Sequence, residues 1–420
     1  MGPGEAHREQ EGLSAISTVA PPARHSRWLT ANLVAQLAFG LLAMTICLPS
    51  MQDWPTQYGA GQAAVQLTFS GFVAAYGGLQ LLWGPWSDRV GRKPLLLLGM
   101  ALACAGSVLA ALAPNLTLLT LARVVQGAGS AAGMVIARAM VQDLFTGSDR
   151  TKMMAFIGMT MGVCPPLATL VGGQLHVRFG WQANFVLMAV LAALLLASGW
   201  RVLPAAGAQR PRGTEGWRAL AAGYARLLRE PTFVLYVVLL AATTATFYTF
   251  LGGAPIVLKG YGVTPERVGW YIMVIPLAYI FGNLWTSRLV RHSSDGRIMA
   301  MGQAWTLAGL AGVLALGLAG AGSPLALALP LLLLGVGHGL LAPPTLAGTV
   351  GLFPALAGAA AAVAGVMQQM SGAFAAFVVG LVSHEGQVNL ALLMLAWAVC
   401  GLVAQALLAR RQPALRSPAA

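Results

Sequence analysis

An arginine stands inside an apolar stretch of the sequence that is long enough to cross a bilayer. Arg123 and Gln126 are three positions apart and share one face of the predicted helix, with Ser130 further along the same side. A charge within hydrocarbon is costly, so an arginine at this depth predicts a functional role. The alternative is that Arg123, about five residues from the end of its span, extends its side chain to the membrane surface.

A cluster of charges occupies residues 84–93, which read GPWSDRVGRK between two apolar runs. Asp88, Arg89 and Arg92 cannot lie in hydrocarbon, so the stretch is predicted to be a loop at the membrane surface. Gly84 and Gly91 are expected to make tight backbone turns there. The structural alternative is a basic loop that only orients the protein.

Few groups in the apolar runs could gain and lose a proton. No Asp or Glu lies well inside a predicted span, and arginine stays protonated at any accessible pH. His338 titrates near neutrality and could act as a proton switch, or could be a packed, hydrogen-bonded histidine. Asp53, just beyond the first span, is the other candidate.

Composition places these residues in a helical membrane protein. The 420 residues are 57% hydrophobic and only 9% charged, against roughly 25% charged in soluble domains. Long unbroken apolar runs favour helices over a β-barrel. The net charge of +13 is spread over short loops and predicts no nucleic-acid partner. No nucleotide-binding loop, metal-binding motif or catalytic arrangement occurs, so we expect no enzyme activity, cofactor or metal site, and an ion gradient as energy source.

Twelve spans are predicted, and the basic residues orient them. With the N-terminus in the cytoplasm, 21 of the 25 lysines and arginines lie on the cytoplasmic side or in cytoplasmic tails. The predicted spans are 29–50, 63–83, 94–113, 118–141, 152–174, 183–203, 232–252, 268–290, 298–319, 325–345, 361–382 and 389–409.

The longest connection divides the chain into two pseudo-symmetric halves of six helices. We expect a cytoplasmic tail over 1–28, an N-terminal half over 29–203, a central loop over 204–231, a C-terminal half over 232–409 and a cytoplasmic tail over 410–420. Residues 215–230 of the central loop have the spacing of a short surface helix.

These motifs resemble those of the major facilitator superfamily. Residues 84–93 match its pattern G-x-L-(S/A)-D-R-x-G-R-(K/R) except that Trp86 replaces Leu, and residues 123–129 match R-x-x-Q-G-x-G. Within the superfamily, residues 66–70, 84–85, 253–255 and 287–288 look like the Bcr/CflA type of drug/proton antiporter.

The resemblance implies roles for several residues. It implies a part in proton transfer for Arg123, and an ion pair between Asp143 and Arg92 or Arg89, with Arg138 one turn away. This pair is expected to act as a conformational latch that holds when the cavity faces outward and releases when it faces inward. The resemblance also implies a monomer in the bacterial inner membrane that exports drug-like molecules in exchange for protons.

Two departures from the family pattern bear on proton coupling. The antiporter motif of the fifth helix is only partly present, because Ala168 and Thr169 replace its Gly-Pro. Thr45 takes the place of the acid usually found in the first helix. The matching positions of the fifth helix are Gly158, Gly162, Pro165, Pro166, Gly172 and Gly173.

Polar, aromatic and flexible side chains within the spans are candidates to line a cavity, although most such residues in a bundle only pack. Because no acid lies among them, neutral or anionic substrates beside Arg123 are favoured. A metabolite transporter or an uncoupled facilitator of the same fold remains the alternative. The candidates are Gln36, Met44, Tyr76, Thr244, Tyr248, Trp270, Met273, Gln368, Gln369 and Phe374.

Overall fold

The computed structural model describes residues 27–204 and 217–416, and throughout these ranges the regular elements are helices. Twelve of the helical segments are long and apolar enough to cross a membrane. The prediction of an all-helical protein with twelve spans is therefore confirmed. The N-terminal tail and the start of the predicted surface helix fall partly outside the described residues.

The first six spans form the N-terminal half. Span 1 ends in a short 3-10 turn, and span 2 is interrupted at Leu79. The helices are Arg27–Thr45 with Pro49–Gln52, a short helix Trp54–Tyr58, Gln62–Gly78 with Gln80–Val90, Arg92–Ala111, Leu116–Leu144, Gly147–Phe179 and Gln182–Val202.

The last six spans form the C-terminal half, which follows a surface helix, Trp217–Arg229. Spans 8 and 10 are each built from two helical pieces. The helices are Pro231–Gly260, Pro265–Ile272 with Val274–Leu289, Asp295–Leu318, Pro324–Ala328 with Leu331–Gly351, Ala357–Val379 after a 3-10 turn at Pro354–Leu356, and Gln387–Arg416.

Several helices are longer than hydropathy predicts. Span 5 was expected over 152–174 and runs over Gly147–Phe179, so its charged ends continue the helix beyond the apolar core. Hydropathy detects only the part of a helix that crosses hydrocarbon, whereas the backbone hydrogen bonds continue into the charged interface.

The charged stretch over residues 84–93 is also more helical than predicted. Gly84 and Pro85 lie inside the helix Gln80–Val90, so the expected turn at Gly84 is wrong. The break comes at Gly91 alone, whose φ of 112° is a left-handed conformation that glycine adopts readily. Span 3 then begins at Arg92.

The two membrane faces differ in how the halves meet. We call them the Asp53 face, which carries the connection between spans 1 and 2, and the Arg92 face, which carries the connection between spans 2 and 3. Near the Asp53 face, Gln52 Nε2 donates to the Pro255 carbonyl at 2.6 Å. Deeper in, Gln66 Nε2 donates to the Gly252 carbonyl at 2.8 Å. These hydrogen bonds join the halves on the Asp53 side of the midplane.

The halves separate between the midplane and the Arg92 face. At the midplane, a Cβ atom on Gly77 would collide with the Gln369 side chain, and one on Gly162 would lie 3.2 Å from Ile280. One turn closer to the Arg92 face, Gly365 precedes Gln369 on the same side of span 11, and Gly158 precedes Gly162 on the same side of span 5. Both have no heavy atom within 4 Å of a Cβ position. The space between the halves therefore opens toward the Arg92 face.

Candidate functional site between the two halves

Arg123 is fully buried in the N-terminal half, with 0% of its surface exposed. Its Nη1 donates to the Ala43 carbonyl at 2.7 Å and to Gln126 Oε1 at 2.5 Å. Its Nη2 donates to the Met44 carbonyl at 3.2 Å. The guanidinium thus ties span 4 to the backbone of span 1. The alternative of a side chain extended to the membrane surface is wrong, because backbone carbonyls retain the guanidinium inside.

Neutral groups surround the Arg123 charge. Its Cζ lies 4.2 Å above the centre of the Phe72 ring, a favourable position for a cation. Gln126 continues the network, since its Nε2 donates to Ser107 Oγ of span 3 at 2.8 Å. Among the described residues, none of the ion pairs involves Arg123. The arginine is held by carbonyls, an amide and an aromatic face, with no anion beside it.

A cluster around Tyr248 closes the centre of the molecule on the Asp53 side. The Tyr248 hydroxyl donates to Gln369 Oε1 at 2.9 Å and contacts Met44 Sδ at 3.5 Å. Its ring packs edge-on against Phe69, with centroids 6.0 Å apart. Met44 and Phe69 belong to the N-terminal half, and Tyr248 and Gln369 to the C-terminal half. This cluster is the floor of the space that opens toward the Arg92 face.

Two of the predicted cavity residues lie in different surroundings. Gln368 is half-buried, and its Nε2 donates to Thr244 Oγ1 at 3.2 Å, beside the Tyr248 cluster. Gln36 is fully buried, and its Nε2 donates to the Leu195 carbonyl of span 6 at 3.2 Å. The structure therefore brings Gln368 to the floor of the space and packs Gln36 between spans of one half.

Thr45 contacts the proline pair of span 5. Its Oγ1 lies 3.1 Å from the Leu41 carbonyl and 3.2 Å from the Pro165 carbonyl. Pro165 and Pro166 lie within a continuous helix, and Thr169 Oγ1 also donates to the Pro165 carbonyl, at 2.9 Å. The hydroxyl that replaces the family's acid is fully buried and bonded to backbone.

The glycines that close span 5 mark its contacts with spans 1 and 8. A Cβ atom on Gly172 would collide with the Ile46 carbonyl of span 1, and one on Gly173 with the Pro265 carbonyl of span 8. These glycines therefore permit the close helix approach that the motif predicts. The contact of Gly173 lies between the halves, on the Asp53 side.

Asp53 bridges the two halves at the face named after it. Its Oδ2 lies 2.9 Å from His176 Nε2 of span 5, and its Oδ1 accepts from Lys259 Nζ of span 7 at 3.0 Å. Lys259 also donates to the Gln52 carbonyl at 2.5 Å. Partial burial raises the pKa of Asp53, and the hydrogen bonds from His176 and Lys259 outweigh this and hold that pKa below its ordinary value. Asp53 therefore carries its negative charge in this conformation.

His338 lies in span 10, with 4% of its surface exposed. Among the described residues, none forms a hydrogen bond with its ring. It is therefore packed, but it lacks the hydrogen bond that a purely structural histidine was expected to have. The structure does not bring it together with Arg123 or Asp53.

Arg92 forms the predicted ion pair on the opposite face. Its Nε lies 3.0 Å from Asp143 Oδ2, and its Nη1 lies 2.5 Å from Asp88 Oδ1. Nη1 also donates to Ser87 Oγ at 2.7 Å. These groups join spans 2, 3 and 4, all within the N-terminal half. The pair is formed in this conformation, in which the space between the halves opens toward the same face.

Arg138 lies apart from that cluster. Its Nη2 donates to Met161 Sδ of span 5 at 2.9 Å, and the side chain is only half-buried. Asp143, which lies one turn further along the same helix, pairs with Arg92 as predicted. Side chains of a helix lean toward its N-terminus, so Arg138 extends from the Arg92 side toward the midplane.

Sequence reasoning missed His176 and Lys259 as the partners of Asp53. The one available signal is that Lys259 is not among the 21 basic residues predicted on the cytoplasmic side. The described residues contain no group of three or more His, Cys, Asp or Glu that could hold a metal ion.

The structure has twelve spans in two halves. The halves contact each other at the Asp53 face and separate toward the Arg92 face around a central space. This arrangement is that of a secondary transporter. The family model of the Major Facilitator Superfamily matches residues 31–376, and the chain belongs to this family. The resemblance drawn from the motifs is thereby confirmed.

The relatives include proteins named for drug resistance. The chain is 30% identical over 366 residues to the multidrug resistance protein D of Escherichia coli (strain K12), covering 86% of this chain and 91% of that protein. It is 27% identical over 286 residues to a chloramphenicol resistance protein of Pseudomonas aeruginosa, covering 67% of each. These names agree with the Bcr/CflA type of antiporter.

A solved structure shares the fold. A bacterial homolog of the human lysosomal transporter Spinster, in an inward-facing and unoccupied conformation, superposes with a TM-score of 0.71. The match covers 94% of this chain and 98% of that chain at 14% identity, so it supports the fold alone.

Proposed function

We propose that this protein exports small hydrophobic, drug-like molecules across the bacterial inner membrane in exchange for protons. The observation that carries the proposal is the central space, which is closed by the Tyr248 cluster on one side and open on the other. Such a space serves transport if the two halves rock about it and expose it to each face in turn. The names of the drug-resistance relatives support the class of substrate.

The positive-inside rule supports the direction of loading. The Arg92 face carries most of the basic residues, so we place it and both termini in the cytoplasm. The open space then receives its substrate from the cytoplasm. Each chain contains a complete pair of halves, and we propose that it acts as a monomer.

His338 is the proposed proton carrier. It is the histidine inside a described span whose ring has no hydrogen-bond partner, and in the described part of the chain the acids lie at or near span ends. Arg123 remains charged and serves as a fixed structural charge inside the N-terminal half. Asp53 is the second candidate, and its side chain is 45% exposed at the Asp53 face.

An uncoupled facilitator, or a metabolite transporter of the same fold, is the second candidate function. It is favoured by Thr45, which replaces the usual acid with a buried hydroxyl that is bonded to backbone carbonyls. A hydroxyl in this position carries no exchangeable charge. In that case drug would cross without proton movement.

Drug-triggered proton release from energised everted vesicles tests the proposal, with chloramphenicol as the first compound and a pH-sensitive dye as the readout. Wild type, His338→Ala and Asp53→Asn are compared, with drug accumulation measured in parallel. We expect release by the wild type and its loss in His338→Ala, because that variant lacks the proton carrier. Asp53→Asn is expected to retain release.

The other outcomes separate the candidates. Release that persists in His338→Ala but is lost in Asp53→Asn moves the proton carrier to Asp53. Chloramphenicol uptake without proton release in the wild type contradicts antiport and favours the facilitator. Vesicles in which a panel of neutral antibiotics neither crosses nor releases protons contradict the proposed drug export.

A further inference from the structure

A groove of about 370 Å³ runs between spans 9 and 12, outside the central space. The main contacts of the C-terminal half with the N-terminal half come from spans 7, 8 and 11, whereas spans 9 and 12 pack against each other and against spans 10 and 7. The walls of the groove include the exposed residues Ala300, Ala304, Leu402 and Ala406. Because these residues belong to apolar spans on the outside of the half, the groove opens to the bilayer.

The groove has the depth of one membrane leaflet. It begins at Gly296, close to the start of span 9 at the Arg92 face, and continues to Leu307. At 1.5 Å of rise per residue, these two positions lie about 16 Å apart along the helix. The hydrocarbon core of a bilayer is about 30 Å thick, so the groove covers the half of it nearest the Arg92 face. An acyl chain of that leaflet therefore occupies the same depth as the groove.

A buried amide in the wall of the groove lacks a hydrogen-bond partner. Gln405 lines the groove, is 8% exposed, and has a buried Oε1 atom without a partner. The other glutamine of the wall, Gln303, is satisfied, because its Nε2 donates to the Ala398 carbonyl at 2.6 Å. An amide carries both donors and an acceptor, so it can bind the ester carbonyls or hydroxyls of a lipid. Gln405 thus indicates an occupant with a polar group about one helical turn inside Ala409, where span 12 nears the Arg92 face.

Arginines flank the groove at the Arg92 face. Arg297 lies one turn before Ala300 on the same side of span 9, and Arg410 lies one turn after Ala406 on the same side of span 12. Both arginines are exposed, and the ion pairs of the described residues involve neither of them. Asp295 is exposed at the same end of span 9, so the two arginines outnumber it. This end of the groove therefore favours an anionic group such as a phosphate.

We propose that the groove between spans 9 and 12 binds an anionic phospholipid from the leaflet at the Arg92 face. One acyl chain lies along the apolar walls, the Gln405 amide bonds to the glycerol region, and the phosphate pairs with Arg297 and Arg410. A second copy of this chain is the other occupant that an apolar groove accepts. It is disfavoured because the Arg92 face carries most of the basic residues, which would then meet across the contact.

Native mass spectrometry of the purified full-length protein tests the groove. The probes are dioleoylphosphatidylglycerol and dioleoylphosphatidylcholine, which have the same acyl chains and differ in net charge. We expect one tightly bound phosphatidylglycerol per chain and weaker binding of phosphatidylcholine. The double change Arg297→Gln and Arg410→Gln should weaken phosphatidylglycerol binding about tenfold or more, because each arginine near an anionic lipid contributes a factor of about five. Phosphatidylcholine binding should stay within about twofold.

Matched variants separate the groove from the rest of the surface. Ala304→Phe fills the groove and should remove the tight site, whereas Ala308→Phe, at an exposed position of span 9 outside the groove, should retain it. Gln405→Leu should weaken the binding of both lipids about fivefold, the value of one hydrogen bond. Arg201→Gln, at an exposed arginine on the same face of the N-terminal half, should leave phosphatidylglycerol binding unchanged. An unchanged midpoint of thermal unfolding shows that each variant is folded.

Three results would overturn the proposal. The first is unchanged phosphatidylglycerol binding in both Ala304→Phe and the double arginine variant. The second is a loss in Arg201→Gln as large as that in the double variant, which reduces the effect to general attraction at a basic surface. The third is a lipid-free dimer that dissociates in Ala304→Phe, which assigns the groove to a second copy of the chain.

Discussion

The two membrane faces carry charge clusters of similar size with different consequences for movement. At the Asp53 face, the carboxylate of Asp53 contacts His176 in its own half and Lys259 in the other. At the Arg92 face, Arg92 contacts Asp88 and Asp143 within one half. A rocking motion of the halves must break the first cluster and carries the second along intact. The role of an ion pair in transport thus depends on which rigid bodies its partners belong to.

The glycines of the interface repeat this contrast. Gly77 lies against Gln369 of the other half, whereas Gly365, one turn from Gln369 on span 11, faces open space. Glycine is therefore required at Gly77, where the two halves are in contact, whereas a larger side chain would fit at Gly365, one turn closer to the Arg92 face. The predictions below test the contrast with pairs of matched changes.

The largest effect is expected from a methyl group at the closed interface. Gly77→Ala places a Cβ against Gln369, and overpacking of this kind costs about 1–3 kcal/mol. The Asp53 face should therefore open in a large fraction of molecules. Spin labels on exposed Thr56 and Glu385, in a chain without its native cysteines, report the distance across this face. Gly365→Ala is the control and should leave that distance unchanged, and equal shifts in the two variants would contradict the interface described.

A smaller effect is expected from the charges. Asp53→Asn removes the negative charge between Lys259 and His176, and we expect a shift toward the open Asp53 face of about fivefold, because each partner contributes on the order of 0.5 kcal/mol. Asp143→Asn is the matched change on the other face and should leave the label distance as it is. A larger shift in Asp143→Asn than in Asp53→Asn would show that the roles of the two clusters are reversed.

The pH dependence follows from the lowered pKa of Asp53. The pKa of Asp53 is lower in the closed state than that of a free Asp carboxylate. The ionised carboxylate therefore stabilises the closed state at pH values above the ordinary Asp pKa of about 4. This stabilisation is lost as the pH falls through the lower pKa of the closed state. The label distance across the Asp53 face should lengthen below about pH 4, where the Asp53 carboxylate becomes protonated. In Asp53→Asn this acid-induced lengthening should be absent, and an Asn variant that retains it would assign the transition to another group.

The smallest effect is expected for Arg92→Gln. The pairs of Arg92 with Asp88 and Asp143 are partly exposed, and such pairs contribute about 0–1 kcal/mol. The midpoint of thermal unfolding in nanodiscs should fall by a few degrees at most, with the distances across both faces unchanged. A shift of either distance would mean that the Arg92 cluster takes part in closure.

Features set by local sequence could be predicted. The spans follow from apolar runs, and the pairing of Arg92 with Asp143 follows from a motif whose parts end neighbouring helices. The partners of Asp53 could not be predicted, because His176 and Lys259 lie 123 and 206 positions away in sequence. Only the packing of spans 1, 5 and 7 brings them together.

The surroundings of the two arginines of span 4 could not be predicted from the sequence either. Arg123 is sealed because its guanidinium meets carbonyls of span 1, whereas Arg138 is half-buried and donates to the Met161 thioether of span 5. Both arginines lie on one apolar helix with similar neighbours in sequence. The difference arises from which helix each one faces.

The central claim is that the two faces open in alternation around the central space. It is tested most directly by measuring two distances in the same protein, between labels on Thr56 and Glu385 across the Asp53 face and between labels on exposed Ser148 and Ser294 across the Arg92 face. When Gly77→Ala is introduced, we predict that the first distance lengthens while the second shortens. A lengthening of the first distance with the second unchanged, or lengthening of both, would contradict alternating access.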